Sequence, residues 1–232
     1  MKKLVKRIMF IGFPRSGHHI TVKLIKDIAE KMNLPFSYCE FYNHNTPEGI
    51  ISYKPPQGCT DEPCEANIRA PLITKSHDFA LDVNCPTQEW KEPIPIISYQ
   101  KYIVIYRDDP IIQMEAYYRF SKKLNYPDYN YQDDTYEDFQ SFYKTNIDYY
   151  KAFREKWIDT KYYNVFPIRY ETLINNPTET LLSILRVIYP NTFNRIDDIN
   201  IKIINEVIQQ NDIKYKHILT KFKYNKLRNM IR

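Results

Sequence analysis

Apolar positions follow two rhythms along the chain. Ile8, Met9, Phe10 and Ile11 run without a polar break between Arg7 and Phe13, which predicts a strand buried on both faces. The spacing then stretches to three and four: Ile20, Leu24 and Ile28 form one stripe with Ile25, Ala29 and Met32 beside it, so His18 to Asn33 is predicted as a helix. Pro35 to Tyr42 is β-prone and reads as a second strand. Asn43 to Asn67, rich in Pro, Asn and Gly, reads as a long loop. Arg69 to Ser76 is a short strand, and the stretch from Asp78 to Gln100 is irregular, broken by Pro86, Pro93 and Pro95. Tyr102 to Arg107 is the clearest buried parallel strand in the chain.

Asp109 opens a helix with Pro110 at its first position, running through Met114, Ala116, Tyr117 and Phe120. After a polar linker to Asp134, Thr135-Tyr136-Glu137-Asp138 starts an amphipathic helix to about Trp157, with Phe139, Phe142, Tyr143, Ile147, Tyr150 and Phe153 as its apolar face. Tyr162 to Tyr170 reads as a strand and Glu171 to Asn175 as a short turn of helix. Helices are predicted from Pro177 through Ile188 and from Asp198 to Gln210. Strands separated by helices need crossover connections, so the expected fold is α/β, a mainly parallel central sheet with helices on both faces. At 232 residues the chain is expected to form one domain over 1–232, with a basic tail over 212–232 that is helical or frayed.

Composition changes this picture only locally. The net charge of +5 gathers in the tail, where seven basic residues face Asp212 alone, which leaves the body close to neutral. That tail lacks a recognisable nucleic-acid-binding motif, so no nucleic acid is expected as a partner. The abundance of Asn, Lys, Ile and Tyr reflects AT-rich codon usage more than chemistry. Met1-Lys2-Lys3 and the apolar run after it lack a small-residue cleavage site, and no stretch is long enough to span a membrane; a cytoplasmic protein is the expectation. Cys39, Cys59, Cys64 and Cys85 fit neither a disulfide framework nor a zinc pattern and read as thiols.

Candidate chemistry sits at the strand ends. Between the first strand and helix, Pro14-Arg15-Ser16-Gly17-His18-His19 forms a turn that aims backbone N–H groups and a positive helix end at an anion. Pro14 sets the turn entry, Gly17 permits close backbone approach, and Arg15 offers a planar cation. The Gly-Lys-Ser/Thr ending of a Walker A loop is missing. The other strands end in Lys75-Ser76-His77 and in Arg107. In an open α/β sheet these ends share one crevice, so two or three cations and an imidazole would meet a polyanionic ligand there.

Taken together these segments resemble the sulfotransferases that use 3′-phosphoadenosine 5′-phosphosulfate (PAPS). Phe13-Pro14-Arg15-Ser16-Gly17 is similar to the family's 5′-phosphosulfate loop, usually Pro-Lys/Arg-Ser-Gly-Thr-Thr. Pro71 to His77 resembles the segment ending in Lys-Thr-His, which carries a catalytic lysine and a histidine base. Tyr102 to Phe120 resembles the 3′-phosphate segment, and Ile168-Arg169-Tyr170-Glu171-Thr172-Leu173 with Asn176-Pro177 is similar to the Tyr-Glu-Asp-Leu and Asn/Asp-Pro pair, whose Tyr lies near the adenine. The four matches keep the family's order over roughly residues 8–190. The resemblance implies a P-loop-NTPase-like sulfotransferase architecture and transfer of a sulfuryl group from PAPS to an acceptor hydroxyl, on a small alcohol, a phenol or a carbohydrate, with no metal. It assigns His77 as base, Lys75 and Arg15 as catalytic cations, and Pro14, Arg15, Ser16, Gly17, His18, His19, Arg107 and Tyr170 to the donor.

The departures are specific. His18-His19 replaces Thr-Thr, and the pair reads either as cradle donors or as helix-start residues bonded locally. Ile20 stands where a Trp often covers the adenine. Counting from Arg107 puts Glu115 at the family serine, whereas aligning Tyr117-Tyr118 puts Ala116 there, which avoids a carboxylate facing a phosphate. The late Arg-Lys-Gly segment is absent, and Lys221 and Lys223 are its candidate substitutes. Asp108-Asp109, Asp133-Asp134 and Asp197-Asp198 read as caps and solvated turns. Two other functions fit less of the sequence: a P-loop small-molecule or nucleotide kinase, and a non-catalytic nucleotide-binding descendant.

Overall fold

The computed structural model describes residues 7–40, 43–46, 49–52, 72–78, 81, 99–123, 136–195 and 197–211. Five strands form one all-parallel sheet: β1 (Arg7–Gly12), β2 (Ser37–Glu40), β5 (Leu72–Ser76), β6 (Lys101–Tyr106) and β7 (Val165–Arg169), in the order β2-β5-β1-β6-β7. β1 lies at the centre because its whole apolar run can be buried only there, with Phe10 opposite Lys75 on one side and Ile103 on the other.

Strand alternation sends neighbouring residues to two cores. Met9, Ile11, Tyr102 and Val104 face one cluster, and Ile8, Phe10, Ile103 and Ile105 face the other. The first cluster is closed by α2 (Pro110–Lys123) and α3 (Tyr136–Trp157). The second is closed by α1 (His18–Lys31), α4 (Tyr170–Asn175), α5 (Pro177–Ile188), α6 (Pro190–Phe193) and α7 (Asp198–Gln210). The expected α/β fold with helices on both faces of a parallel sheet is therefore the observed one.

Local rules account for the element ends. α1 stops at Lys31 because Asn33 turns left-handed (φ 53°) and Leu34 N–H closes back on Ala29 O at 2.8 Å, a Schellman-type ending. Asp109 Oδ1 accepts from Ile111 N–H at 2.9 Å at the start of α2, and Asp197 Oδ1 from Asn200 N–H at 2.8 Å at the start of α7, so both cap helices as the sequence suggested.

Some expectations need correction. Part of the predicted loop from Asn43 to Asn67 is an antiparallel pair, β3 (Asn43–Thr46) with β4 (Gly49–Ser52), with Thr46 opposite Gly49. Backbone bonds make such a ladder with little apolar alternation to announce it. The last strand begins at Val165 rather than Tyr162, and Tyr170 belongs to α4. A short α6, started by Pro190, lies between the two predicted helices. Cys59, Cys64, Asp133, Asp134, Lys221, Lys223 and the basic tail lie outside the described residues. Among the described residues no helix is long and apolar enough to cross a membrane, and no three His, Cys, Asp or Glu side chains are placed to hold a metal.

Candidate anion-binding site at the strand ends

The turn after β1 hangs on Phe13, whose fully buried ring lies 4.6 Å from Tyr149, 5.2 Å from Tyr150, 5.6 Å from Tyr117 and 5.7 Å from Phe153. With that anchor buried, the chain turns back at the sheet edge. Pro14 O accepts from Gln113 Nε2 at 2.5 Å, so this residue ties the turn to α2. Arg15 (φ 68°) and Gly17 (φ 100°) are both left-handed, and Ser16 N–H bonds Phe13 O at 3.1 Å inside the turn. Gly17 is required twice over, since a Cβ there would lie 2.1 Å from Tyr170 Cδ2. It also leaves the positive end of the 14-residue α1 without a side-chain cap.

β5 delivers the second group. Lys75 is 1% exposed and its Nζ donates to His19 Nε2 at 3.1 Å. His77 Nδ1 donates to the Gly12 carbonyl, which keeps the proton of the neutral ring on Nδ1 and its basic lone pair on Nε2. The His77 and His18 rings meet edge to face at 5.9 Å. β6 delivers the third: the Arg107 guanidinium lies 4.6 Å over the Tyr170 ring, the same ring that covers Gly17. Arg15 Cζ stacks 4.8 Å over Phe120.

Thus Arg15, Ser16, Gly17, His18, His19, Lys75, His77, Arg107 and Tyr170 form one connected group at the carboxyl end of the sheet, while Pro14 contributes the turn. His18 differs from an exposed cradle donor: it is 2% exposed and tilts 5.8 Å from Phe10. On α2, Gln113, Tyr117 and Phe120 face the turn, and helical spacing places Ala116 with them and Glu115 away. Glu115 is instead held by Arg119, at 3.0 Å from Nε and 2.9 Å from Nη2.

The electrostatics favour an anion. Burial first, then the charge of Arg107, lowers the Arg15 pKa, with Tyr170 opposing. Burial, followed by Lys75, His77 and His19, holds His18 well below its ordinary 6.5. Of the nearby carboxylates, Asp108 lies 3.7 Å from Arg154 and 3.6 Å from Arg169, Asp78 pairs with Lys156 at 2.7 Å, and Glu171 accepts from Asp108 N–H at 3.4 Å through Oε2. Among the described residues, Ser16 Oγ, both ring nitrogens of His18, Arg107 Nε, Gln113 Oε1, Tyr118 Oη and Glu171 Oε1 are buried with no hydrogen-bond partner. Each such group costs about 1–3 kcal/mol, and Ser16, His18 and Arg107 bring theirs to the ends of β1 and β6, where a polar ligand could complete them.

Sequence reasoning overlooked the second layer. Tyr149 Oη donates to His77 O at 2.7 Å and Tyr150 Oη to Arg107 O at 2.8 Å, so adjacent residues of α3 hold the ends of β5 and β6. The sequence reading places Tyr150 on the apolar face of the helix and leaves Tyr149 out of it, and a Tyr hydroxyl is the only local signal of a polar task.

The fold is an open parallel α/β sheet with a candidate anion site at its strand ends. No protein-family model and no curated protein matches the chain by sequence. Two solved structures similar to it are sulfotransferases. One is mouse sulfotransferase SULT7A1 complexed with PAP, at 16% identity and TM-score 0.49, covering 87% of this chain and 64% of that one. The other is the sulfotransferase domain from the curacin biosynthetic pathway, at 13% identity and TM-score 0.38, covering 99% of this chain and 98% of that one.

Proposed function

We propose that this chain is a sulfotransferase that moves the sulfuryl group of PAPS to an acceptor hydroxyl. The observation that carries the reading is the cluster of buried, unpartnered polar atoms on Ser16, His18 and Arg107, beside the cations Arg15 and Lys75. A polyanion can accept from Ser16 Oγ, from Arg107 Nε and from the one N–H of the neutral His18 ring. The donor fits these residues: the turn from Ser16 to His19 and the start of α1 would hold its 5′-phosphosulfate, Arg107 its 3′-phosphate, and Tyr170 would lie near its adenine. When bound, PAPS supplies an activated sulfuryl group with a phosphate as leaving group. Lys75 and Arg15 place positive charge at the sheet edge. His18, buried and neutral, contributes a hydrogen bond and no charge. His77, its Nδ1 proton committed to the Gly12 carbonyl, takes the acceptor's hydroxyl proton at Nε2. The acceptor is a hydroxylated molecule; the segments 43–67, 78–100 and 121–134 that the sequence suggests for its pocket lie largely outside the described residues.

Thermal shift with 3′-phosphoadenosine 5′-phosphate (PAP) against ATP plus Mg²⁺ tests the donor site, with stabilisation expected from PAP. Stabilisation by ATP and Mg²⁺ alone favours a kinase and overturns the proposal. Transfer of labelled sulfate to a panel of alcohols, phenols and sugars then tests the reaction, and His77→Ala is expected to lower it 10²- to 10⁴-fold.

A further inference from the structure

One arrangement is left unused by this chemistry, and it begins one residue past His77. Asp78 is 1% exposed, and its Oδ2 accepts from Lys156 Nζ at 2.7 Å and from Trp157 Nε1 at 2.8 Å. Burying a carboxylate costs several kcal/mol unless it is both paired and hydrogen-bonded, and the last turn of α3 does both. The Asp78 backbone is left-handed (φ 49°), a conformation that costs a non-glycine residue about 1–2 kcal/mol. Its N–H donates to Ser76 Oγ at 3.2 Å, and its carbonyl accepts from Leu81 N–H at 3.2 Å.

The same helix reaches the preceding residue, because Tyr149 Oη donates to His77 O at 2.7 Å. Tyr149, Lys156 and Trp157 are spaced i, i+7 and i+8, so one face of α3 grips residues 77 and 78 through three hydrogen bonds. Trp157 is itself fully buried, 5.1 Å from Tyr102 of β6, so the grip is referred to the sheet. Held this way, the backbone is left-handed at Asp78 and the His77 imidazole lies on the Gly12 carbonyl. A left-handed non-glycine residue fixed by so many partners stores strain that a neighbour can use.

We propose that Asp78 is a positioning residue: held by Lys156 and Trp157, its carboxylate sets the turn that puts His77 Nδ1 on the Gly12 carbonyl and keeps the basic lone pair on Nε2. The proposal rests on His77 being the base of the proposed transfer, but its first readout does not. Imidazole ¹⁵N NMR of the ligand-free chain reports which ring nitrogen carries the proton, with Nδ1 expected for wild-type His77. Asp78→Asn and Trp157→Phe are each expected to move His77 toward mixed tautomers. In both, kcat falls on the order of ten- to hundredfold at unchanged donor KM and PAP affinity, as for a misplaced catalytic group. Trp157→Phe keeps an aromatic ring and the ion pair, so it carries the test should Asp78→Asn not fold. Folded variants with the wild-type tautomer and kcat overturn the proposal, as does a wild-type His77 protonated on Nε2. If the wild type neither binds PAP nor transfers sulfate, the donor reading fails, and the tautomer comparison still decides the role of Asp78.

Discussion

Replacing Gly17 with alanine separates the two reasons that a glycine stands at the start of α1. The new Cβ would lie 2.1 Å from Tyr170 Cδ2 and 2.4 Å from its Cε2, well inside contact, so the ring must move. At φ 100° the alanine also bears the left-handed penalty, about 1–2 kcal/mol. Displacing a packed ring adds about 1–3 kcal/mol, as overpacking does elsewhere, for a total loss of roughly 2–5 kcal/mol. The double variant Gly17→Ala/Tyr170→Ala removes the steric part and leaves the backbone part. Urea denaturation of wild type, both single variants and the double variant therefore forms a cycle, with an expected coupling of about 1–3 kcal/mol in favour of the double variant. A coupling near zero, or a single Gly17→Ala loss below about 0.5 kcal/mol, would falsify the packing of Tyr170 on the turn. Because the Tyr170 ring also faces Arg107, the single variant is expected to weaken PAP as well.

Three other outcomes follow from the same geometry. His18 has a lowered folded-state pKa, so the unfolded chain protonates first: stability is full above pH 6.5 and is lost as pH falls toward the folded value, at a limiting slope of about 1.4 kcal/mol per pH unit. Urea midpoints between pH 7.5 and 5.5 should show that slope in wild type and less of it in His18→Gln, and equal slopes would refute it. Arg107→Gln is expected to weaken PAP about 10- to 100-fold in calorimetric titration while leaving adenosine 5′-phosphate little changed, as the loss of one charge-assisted contact to the 3′-phosphate requires; equal losses for both nucleotides would count against that assignment. Tyr149→Phe and Tyr150→Phe each remove the donor to a strand-end carbonyl and are expected to cost about 1–2 kcal/mol by denaturation, and a neutral pair would show that the hydroxyls hold nothing.

The central elements were legible because their signals are local and strong. The unbroken apolar runs of β1 and β6 admit only a strand buried on both faces, and the capped, periodic stretch from Asp198 to Gln210 matches α7 residue for residue. Strand identity then carried the site a long way. Once Arg15, Lys75, His77 and Arg107 are placed at the ends of parallel strands, topology puts them along one edge. The β3–β4 pair was lost in the polar stretch Asn43 to Ser52, where backbone pairing leaves little side-chain pattern.

What the sequence determined by itself is the order of strands and helices, the glycine and arginine of the turn, and the kinds of group that end each strand. Partnership was decided by the tertiary structure. No spacing along the chain couples Asp78 to Trp157, Tyr149 to His77 or Gly17 to Tyr170, because those contacts join elements 72 to 153 residues apart and depend on which face of α3 or α4 meets the sheet edge. The same holds for His18-His19 at the opening turn. As neighbours they look equivalent, yet helical geometry points successive residues about 100° apart, so His18 is sealed under the turn as a neutral ring while His19 lies outside, on Lys75.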